Sequence, residues 1–186
     1  MNSDLLNIAS LERQRYVDFF IEETDLLKNG KDICATELPI EVSDETISYP
    51  FNTVYLDFIY KDENNEDHIS ELRLDNNLDY DMCCFYLGKM KVELFPFCWN
   101  SCEFTVDQIE VSALATWVIK WLKVDEELPD IELAEAIHSC SQPDLVDKNY
   151  SFTIDFGSAP AACFIDFLQF LRDSRTEYVR VETSEA

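Results

Sequence analysis

The chain has 186 residues and a formal net charge of −24, from 38 acidic and 14 basic residues. This charge argues against direct contact with DNA, RNA or an anionic membrane, because those partners are bound through lysine and arginine. Disordered acidic chains contain few aromatic residues, whereas this chain is 47% hydrophobic and has 13 Phe, 8 Tyr and 3 Trp. We therefore expect one folded domain over residues 1–186.

The cysteines and the N-terminal sequence predict a cytoplasmic protein. Seven cysteines occur, an odd number, and MNSDLLNIAS lacks the basic segment and apolar run of a secretory signal. Cysteines in that setting are mostly reduced and buried as small apolar groups. The apolar stretches are also too short for a membrane span, which needs roughly 18 residues.

The first half of the chain predicts one helix followed by an antiparallel meander. The helix extends from about Ser10 to Asn29 and ends at Gly30, a left-handed cap. From Ile47 to about Phe97 the apolar residues recur with a period of two, which is typical of strands. The predicted strands cover residues 54–60, 68–74, 82–87 and 89–95.

Two helices are predicted after the meander. Thr105 and Gln108 have the spacing of a capping box. Apolar residues then cover most of the circumference of a helix up to about Lys123, which indicates a core helix. A shorter helix is predicted from Asp130 to about Ser139, after Pro129.

The C-terminal third predicts a strand, a helix and a second strand. Tyr150–Phe156 alternates as a strand, Gly157 makes the turn, and Ser158 caps a helix that ends near Asp173. Thr176–Glu182 is the closing strand. Elements joined this tightly predict a right-handed βαβ unit with parallel strands. The predicted fold is α+β: a mixed sheet with an antiparallel meander and a C-terminal parallel βαβ unit, with helices packed on the sheet.

The sequence patterns that would support catalysis are incomplete. His68 and His138 are the only histidines, and a serine or cysteine nucleophile usually needs an imidazole beside it. Ser158 lies between a predicted strand and helix, as in a nucleophile elbow, but Pro160 occupies the position where that elbow needs glycine. Helix capping accounts for Ser158 without catalysis.

Metal-binding patterns are incomplete as well. Cys98 and Cys102 form one close pair, and His138 and Cys140 form another, but neither pair has the usual spacing of a zinc site. The turn Asp75–Asp81 alternates like a calcium loop, yet it lacks the glycine and the final glutamate. We therefore predict no metal, no cofactor and no enzymatic activity.

Acidic residues concentrate in two stretches, with nine acids against two bases over residues 57–81 and eight against one over residues 121–147. Solvated loops give the same pattern. Carboxylates near tyrosines also suit an arginine- and lysine-rich partner, because opposite charges speed encounter and rings supply buried contact. The predicted partner-binding residues are Asp57, Tyr60, Asp62, Glu63, Glu66, Asp67, Asp75, Asp79, Asp81, Asp125, Glu126 and Glu127.

The C-terminal segments YSFTIDFGSAP and FIDFLQFLRDSRTEYVRV, within residues 150–181, resemble the strand–helix–strand ending of some bacterial immunity proteins. Members of that class are small acidic proteins that neutralise cationic toxins by covering their active or binding surfaces. The resemblance implies a monomeric or dimeric inhibitor of a basic toxin domain and carries over no contact residue. The alternatives are a dimeric acidic secretion chaperone, a nucleic-acid mimic that blocks a DNA-binding protein, and an enzyme with paired carboxylates or a metal.

Overall fold

The computed structural model describes residues 3–29, 31–74, 78–124 and 133–184, so the predicted cap Gly30 lies outside the described residues. The described chain forms three helices and ten strands. The helices are α1 (Ser3–Lys28), α2 (Val111–Leu122) and α3 (Ala161–Asp173). The strands are β1 (Asp32–Glu41), β2 (Thr53–Lys61), β3 (Asp67–Ser70), β4 (Cys83–Leu87), β5 (Met90–Leu94), β6 (Cys102–Val106), β7 (Ser139–Cys140), β8 (Asp144–Val146), β9 (Asn149–Asp155) and β10 (Tyr178–Thr183).

All ten strands belong to one mixed sheet. Its order is β1-β2-β7-β9-β6-β10-β5-β4, with β3 paired to β2 and β8 paired to β9. Among the described pairs, β5 with β10 is parallel and the others are antiparallel. The three helices pack on this sheet, so the predicted α+β class with a mixed sheet is confirmed.

The core lies where α3 covers the centre of the sheet. Phe104 of β6 contacts Phe167 of α3, with ring centroids 4.7 Å apart. Trp99 packs on Phe156 at 4.8 Å, and its indole nitrogen donates a 2.9 Å hydrogen bond to the carbonyl of Gly157. Burial of each such side chain contributes roughly 1.5–3 kcal/mol to stability, so this centre supplies much of the stability of the fold.

The predicted meander is divided between the two ends of the sheet. The hairpins β2–β3 and β4–β5 form as the alternation predicts. However, β3 pairs with β2 near one end of the sheet, whereas β4 is the last strand at the other end. The connection passes α1, where Glu12 Oε1 accepts a 2.8 Å hydrogen bond from the amide of Leu78. Local alternation predicts a strand, but the neighbour of that strand depends on the whole chain.

The C-terminal unit also differs from the predicted βαβ arrangement. β9 and β10 point the same way, since both are antiparallel to β6, but β6 lies between them. The parallel neighbour of β10 is β5. The helix connection and the parallel direction of the two strands were therefore predicted correctly, and the insertion of β6 between them was not predicted.

Several element boundaries are corrected by the structure. Thr105 is in strand β6 and does not start a helix; α2 begins at Val111 after its N-cap Glu110. The N-cap of α3 is Pro160, not Ser158, whose hydroxyl is buried without a hydrogen-bond partner among the described residues. Residues 133–138 are not helical, which overturns the short helix predicted over 130–139; residues 130–132 lie outside the described part.

Candidate functional site

A cleft opens where β2 changes its neighbour along one edge. Val54 pairs with Ser139 of β7, whereas Phe58, four residues later, pairs with Ser70 of β3. The cleft at this change of partner has a volume of about 220 Å³. It is lined by Val54, Tyr55, Asp57, Glu71, Leu72, His138, Ser139 and Asp155.

The buried imidazole of His138 forms the inner wall of the cleft and bridges two carboxylates. Its Nε2 lies 2.8 Å from Glu37 Oε1, and its Nδ1 lies 3.2 Å from Asp57 Oδ1. The hydroxyl of Tyr16, from α1, donates to the same Asp57 oxygen at 3.2 Å. Asp155 lies beside this group on β9. We call Tyr16, Glu37, Asp57, His138 and Asp155 the His138 network.

The strand register explains why these two acids meet. Thr36 pairs with Phe58 and Leu38 pairs with Leu56, so Glu37 stands opposite Asp57 across β1 and β2. Two like charges in that position repel each other, and the imidazole between them offsets the repulsion. Glu37 also has a left-handed φ of 48°, which is uncommon for a residue other than glycine and is often found at functional sites.

The second oxygen of each carboxylate holds the backbone of an irregular segment. Asp57 Oδ2 accepts a 2.6 Å hydrogen bond from the amide of Leu72, just after β3. Glu37 Oε2 accepts a 2.6 Å hydrogen bond from the amide of Ala134, which precedes His138. The His138 network therefore fixes both segments that flank the cleft.

Aromatic packing and a glycine fix the imidazole ring. The ring stacks on Tyr55, with centroids 5.4 Å apart and an angle of 10° between the planes. On Gly157 a Cβ atom would come within 2.0 Å of the His138 ring, and this residue has φ of +46°. Only glycine combines that backbone with so close an approach.

The local charges shift the pKa values of the network. Burial by itself would lower the pKa of His138, but the hydrogen bonds that the ring donates to Asp57 and Glu37, together with the nearby Asp155, raise it to about 10. Burial raises the pKa of Asp155 to about 7, and repulsion from Asp57 adds to this effect, while His138 opposes it. Burial and the same carboxylates raise the pKa of Tyr16.

This arrangement stabilises a protonated imidazole between two carboxylates and does not suit general base catalysis. Both ring nitrogens of His138 face carboxylates, and its raised pKa keeps the imidazole protonated at neutral pH. A general base needs a free lone pair directed at the proton that it removes. The group that changes its protonation near neutral pH is instead Asp155, at the wall of the cleft.

Two of the predicted partner-binding residues are engaged in contacts within the protein. Asp57 is only 6% exposed and is part of the His138 network, so its carboxylate does not belong to the outer acidic surface. Tyr60 is half-buried; its ring stacks on His68 with centroids 5.5 Å apart, and the ammonium of Lys31 lies 3.8 Å from the ring centre.

The acids of the β2–β3 turn are brought together. Glu63, Glu66 and Asp67 are exposed. Asp62 is half-buried and holds the turn, since its Oδ1 accepts hydrogen bonds from the amides of Asn64 at 2.9 Å and Glu66 at 3.0 Å. These hydrogen bonds lower the pKa of Asp62.

Two further predicted acids lie elsewhere in the structure. Asp79 and Asp81 are exposed but precede β4 at the opposite end of the sheet, a lateral distance of roughly 30 Å at the usual strand spacing. Asp75, Asp125, Glu126 and Glu127 lie outside the described residues.

Exposed residues next to the turn extend the acidic surface. Asp67 and Ile69 lie on the same face of β3, because side chains alternate along a strand. Ile69 is 60% exposed, and the exposed Glu71 follows directly after the strand. We call Glu63, Glu66, Asp67, Ile69 and Glu71 the hairpin strip.

One group in this region has the residue types of a cation site. Asp62, Glu66 and His68 each place one ligand atom within 4.8 Å of the others. One oxygen of Asp62 is already used by two backbone amides, and the group is partly exposed. This arrangement is common in ordinary acidic turns.

Glu37, Asp155 and Glu71 are members of the site that were not predicted from the sequence. Glu37 lies in a strand that was not predicted, and Asp155 alternates with the apolar residues of its strand, a pattern that does not indicate burial of the carboxyl group. The one available signal was His138, one of two histidines in a chain rich in carboxylates. Cys140, which forms a close sequence pair with His138, is paired with Ile154 in the sheet. The two ring nitrogens of His138 contact carboxylates instead of thiols.

No family model, no curated protein and no solved structure matches this chain. Within the described ranges, none of the helices has the length and apolar character that a membrane crossing requires.

Proposed function

We propose that this chain is a binding protein that neutralises a basic protein partner, as bacterial immunity proteins do with cationic toxin domains. The proposal includes a cytoplasmic location, because all seven cysteines are free thiols, and exposed ones such as Cys34 and Cys84 persist best in a reducing compartment. It also treats the chain as a non-enzyme, since both nitrogens of its one buried histidine are occupied.

The hairpin strip is the observation that carries this proposal. An exposed isoleucine among exposed carboxylates offers both an apolar contact and negative charge. In the described part of the chain, no lysine or arginine is within ion-pair distance of Glu63, Glu66 or Glu71, and Lys61 reaches Asp67 only at 4.0 Å. Carboxylates that lack internal partners are available to the lysines and arginines of another protein.

The strip also has the form of a protein contact rather than of a solvated loop. Protein interfaces combine an apolar centre with a polar rim. Ile69 would supply the centre, and the four acids around it would supply the rim. Tyr60 and Asp57, which are engaged within the fold, are left out of this surface.

The proposal is tested with the most basic domain encoded by the gene next to that of this chain. The purified domain is titrated against the chain by biolayer interferometry at 50 and 500 mM NaCl. Growth is measured in bacteria that express the domain with and without the chain. We expect rescue of growth, and an association rate that falls at least tenfold at the higher salt concentration. If the chain neither rescues growth nor binds the domain at 50 mM NaCl, the proposal is wrong.

A pair of matched variants locates the contact. Replacing Glu63, Glu66 and Glu71 by lysine reverses three charges of the hairpin strip and leaves the turn-forming Asp62 intact. The control replaces Glu22, Glu41 and Asp144 by lysine; these acids are also exposed and give the same change in net charge. We expect the first variant to lose at least tenfold more affinity than the control. Equal losses would mean that the hairpin strip is not the contact.

A further inference from the structure

The His138 network holds one positive charge among several acids. Glu37, Asp57 and Asp155 supply three carboxyl groups, and His138 is the one base bonded to them in the described chain. Three ionised carboxylates would leave two negative charges without a counter-charge in a largely buried site. Burial of an unpaired charge is costly, so the network retains one further proton.

Geometry assigns that proton to Asp155. Glu37 and Asp57 each accept hydrogen bonds from the imidazole and from a backbone amide, which favour their ionised forms. Asp155 accepts from the amide of Gly157 at 2.8 Å, and its side chain lies at the wall of the cleft. It is therefore the carboxyl group with the least support for its charge and with access to water.

The groups that face Asp155 come from each element around it. Asp57 on β2 and Glu37 on β1 disfavour its ionisation, Asp155 in turn raises the pKa of Tyr16 on α1, and Glu71 after β3 shares the cleft. His138, before β7, favours ionisation. Arg13 of α1 donates hydrogen bonds to the backbone oxygens of residues 158 and 159.

We propose that the His138 network is a pH-sensitive switch, in which loss of the proton from Asp155 weakens the hold of Asp57 on Leu72 and of Glu37 on Ala134. The added negative charge repels both carboxylates and competes for the imidazolium between them. Each carboxylate holds a backbone amide at 2.6 Å, so its displacement loosens residues 71–74 and 133–138. Raising the pH through neutrality therefore loosens both sides of the cleft.

The proposed switch affects the hairpin strip, which is the proposed contact surface. Glu71 is both a wall of the cleft and the end of the hairpin strip, and the next residue is the one held by Asp57. The biological meaning of the switch rests on the proposed function. Its test uses the free chain, so that the two proposals fail independently.

The test measures amide hydrogen exchange by NMR at pH 6 and pH 8, after correction for intrinsic base catalysis. The Asp155→Asn variant keeps an oxygen for the Gly157 amide and cannot ionise. The matched control is Asp144→Asn, which removes an exposed carboxylate from β8, the strand beside β9. The carboxyl carbon of Asp155 is titrated in the wild-type chain.

We expect the Asp155 carboxyl to titrate near pH 7 and the protection of Leu72 and Ala134 to fall as the pH rises from 6 to 8. The fall should be about tenfold larger in the wild-type chain and in Asp144→Asn than in Asp155→Asn. The amides of β4, at the far end of the sheet, should show no such difference. Equal falls in all three proteins would overturn the proposal. An equal fall in β4 would also overturn it, because the effect would then be global unfolding.

Discussion

At the scale of single residues, His138 decides whether Glu37 and Asp57 can share a buried site. Each carboxylate has an imidazole nitrogen and a backbone amide as partners, so all four hydrogen bonds depend on the same geometry. An intact buried ion pair adds little net stability, because the cost of desolvation offsets the attraction. Removal of one partner is strongly destabilising, because the other charge is then buried without a partner.

We predict that His138→Gln lowers the free energy of unfolding by roughly 3–5 kcal/mol, because it leaves two buried carboxylates facing each other without a positive charge. Denaturant unfolding at pH 7 measures this value. Adding Glu37→Gln to the variant should restore part of the loss, since it removes one of the two charges. A double variant whose loss equals the sum of the single losses would contradict the coupling.

Gly157 provides a second test at this scale. Gly157→Ala should cost roughly 2–4 kcal/mol, because the new methyl group would overlap the imidazole and φ is +46°. Gly88→Ala is the matched control: φ is +65°, but the nearest atom, Cδ of Arg172, is 3.8 Å away. The control should therefore show only the backbone cost of roughly 1–2 kcal/mol. Thermal or denaturant unfolding measures both variants, and equal losses would show that the ring contact contributes nothing.

The turn at Gly157 could be predicted from the sequence, but its contacts could not. The turn at Gly157 follows from the change between a strand pattern and a helix pattern. The contact between Gly157 and His138 does not, and neither does the bridge from His138 to Glu37, which is 101 residues away. Burial of Asp57 was missed for the same reason: alternation marks it as polar and outward, and its partners come from three distant segments of the chain.

At the scale of elements, one carboxylate connects the helices α2 and α3. Asp166 Oδ2 accepts hydrogen bonds from the indole nitrogens of Trp117 at 2.9 Å and Trp121 at 2.8 Å, and from the ammonium of Lys120 at 2.9 Å. Burial would raise the pKa of Asp166, but these three donors outweigh it and lower the pKa. Its stabilisation is therefore present above the ordinary carboxyl pKa and is lost as the pH falls below it.

We predict that Asp166→Ala lowers the free energy of unfolding by roughly 1–3 kcal/mol and changes the tryptophan fluorescence of the folded protein, because two indole donors lose their acceptor. The control is Asp173→Ala at the end of the same helix, where the carboxylate forms an exposed pair with Arg172. Exposed pairs of this kind contribute little to stability, because solvent screens the two charges. Unchanged fluorescence in Asp166→Ala would contradict the predicted link.

Strands were predictable where alternation was long and uninterrupted, and were missed where it was not. β2 and β9 follow their periodic patterns closely. β1 contains Pro39, which argues against an inner strand but is tolerated here because β1 is at the edge of the sheet. β6 has only five residues and ends shortly before α2, so its last two residues, Thr105 and Val106, were assigned to the helix start.

At the scale of the whole molecule, strand order had no local signal. β6 inserts between β9 and β10, and the two ends of the sheet are joined by a connection that passes α1. Such an order is selected by burial of the complete core, in which strands distant in sequence contribute to the same layer. Composition and charge predicted a folded acidic domain, but not which acids would be buried.

The same buried charges set the pH dependence of the whole molecule. The folded pKa of His138, about 10, is above its ordinary value of 6.5, so its contribution is fully present below pH 6.5 and is lost as the pH rises through 10. The pKa of Asp155 in the folded protein, about 7, is above its ordinary value of 3.8. The stabilisation from its protonated form is therefore fully present below pH 3.8 and is lost as the pH rises through 7. Both effects have the same sign.

We therefore predict that the free energy of unfolding falls by roughly 2–5 kcal/mol between pH 6 and pH 9. Denaturant unfolding at several pH values gives this curve. The variant that combines Asp155→Asn with His138→Gln should start from lower stability at pH 6 but should lose much less of it by pH 9, since both titrating groups are gone. Self-repulsion of a chain with a charge of −24 changes little over this range, because exposed carboxylates are already ionised at pH 6. A wild-type curve that is flat or rises toward pH 9 would contradict the assigned protonation of the His138 network.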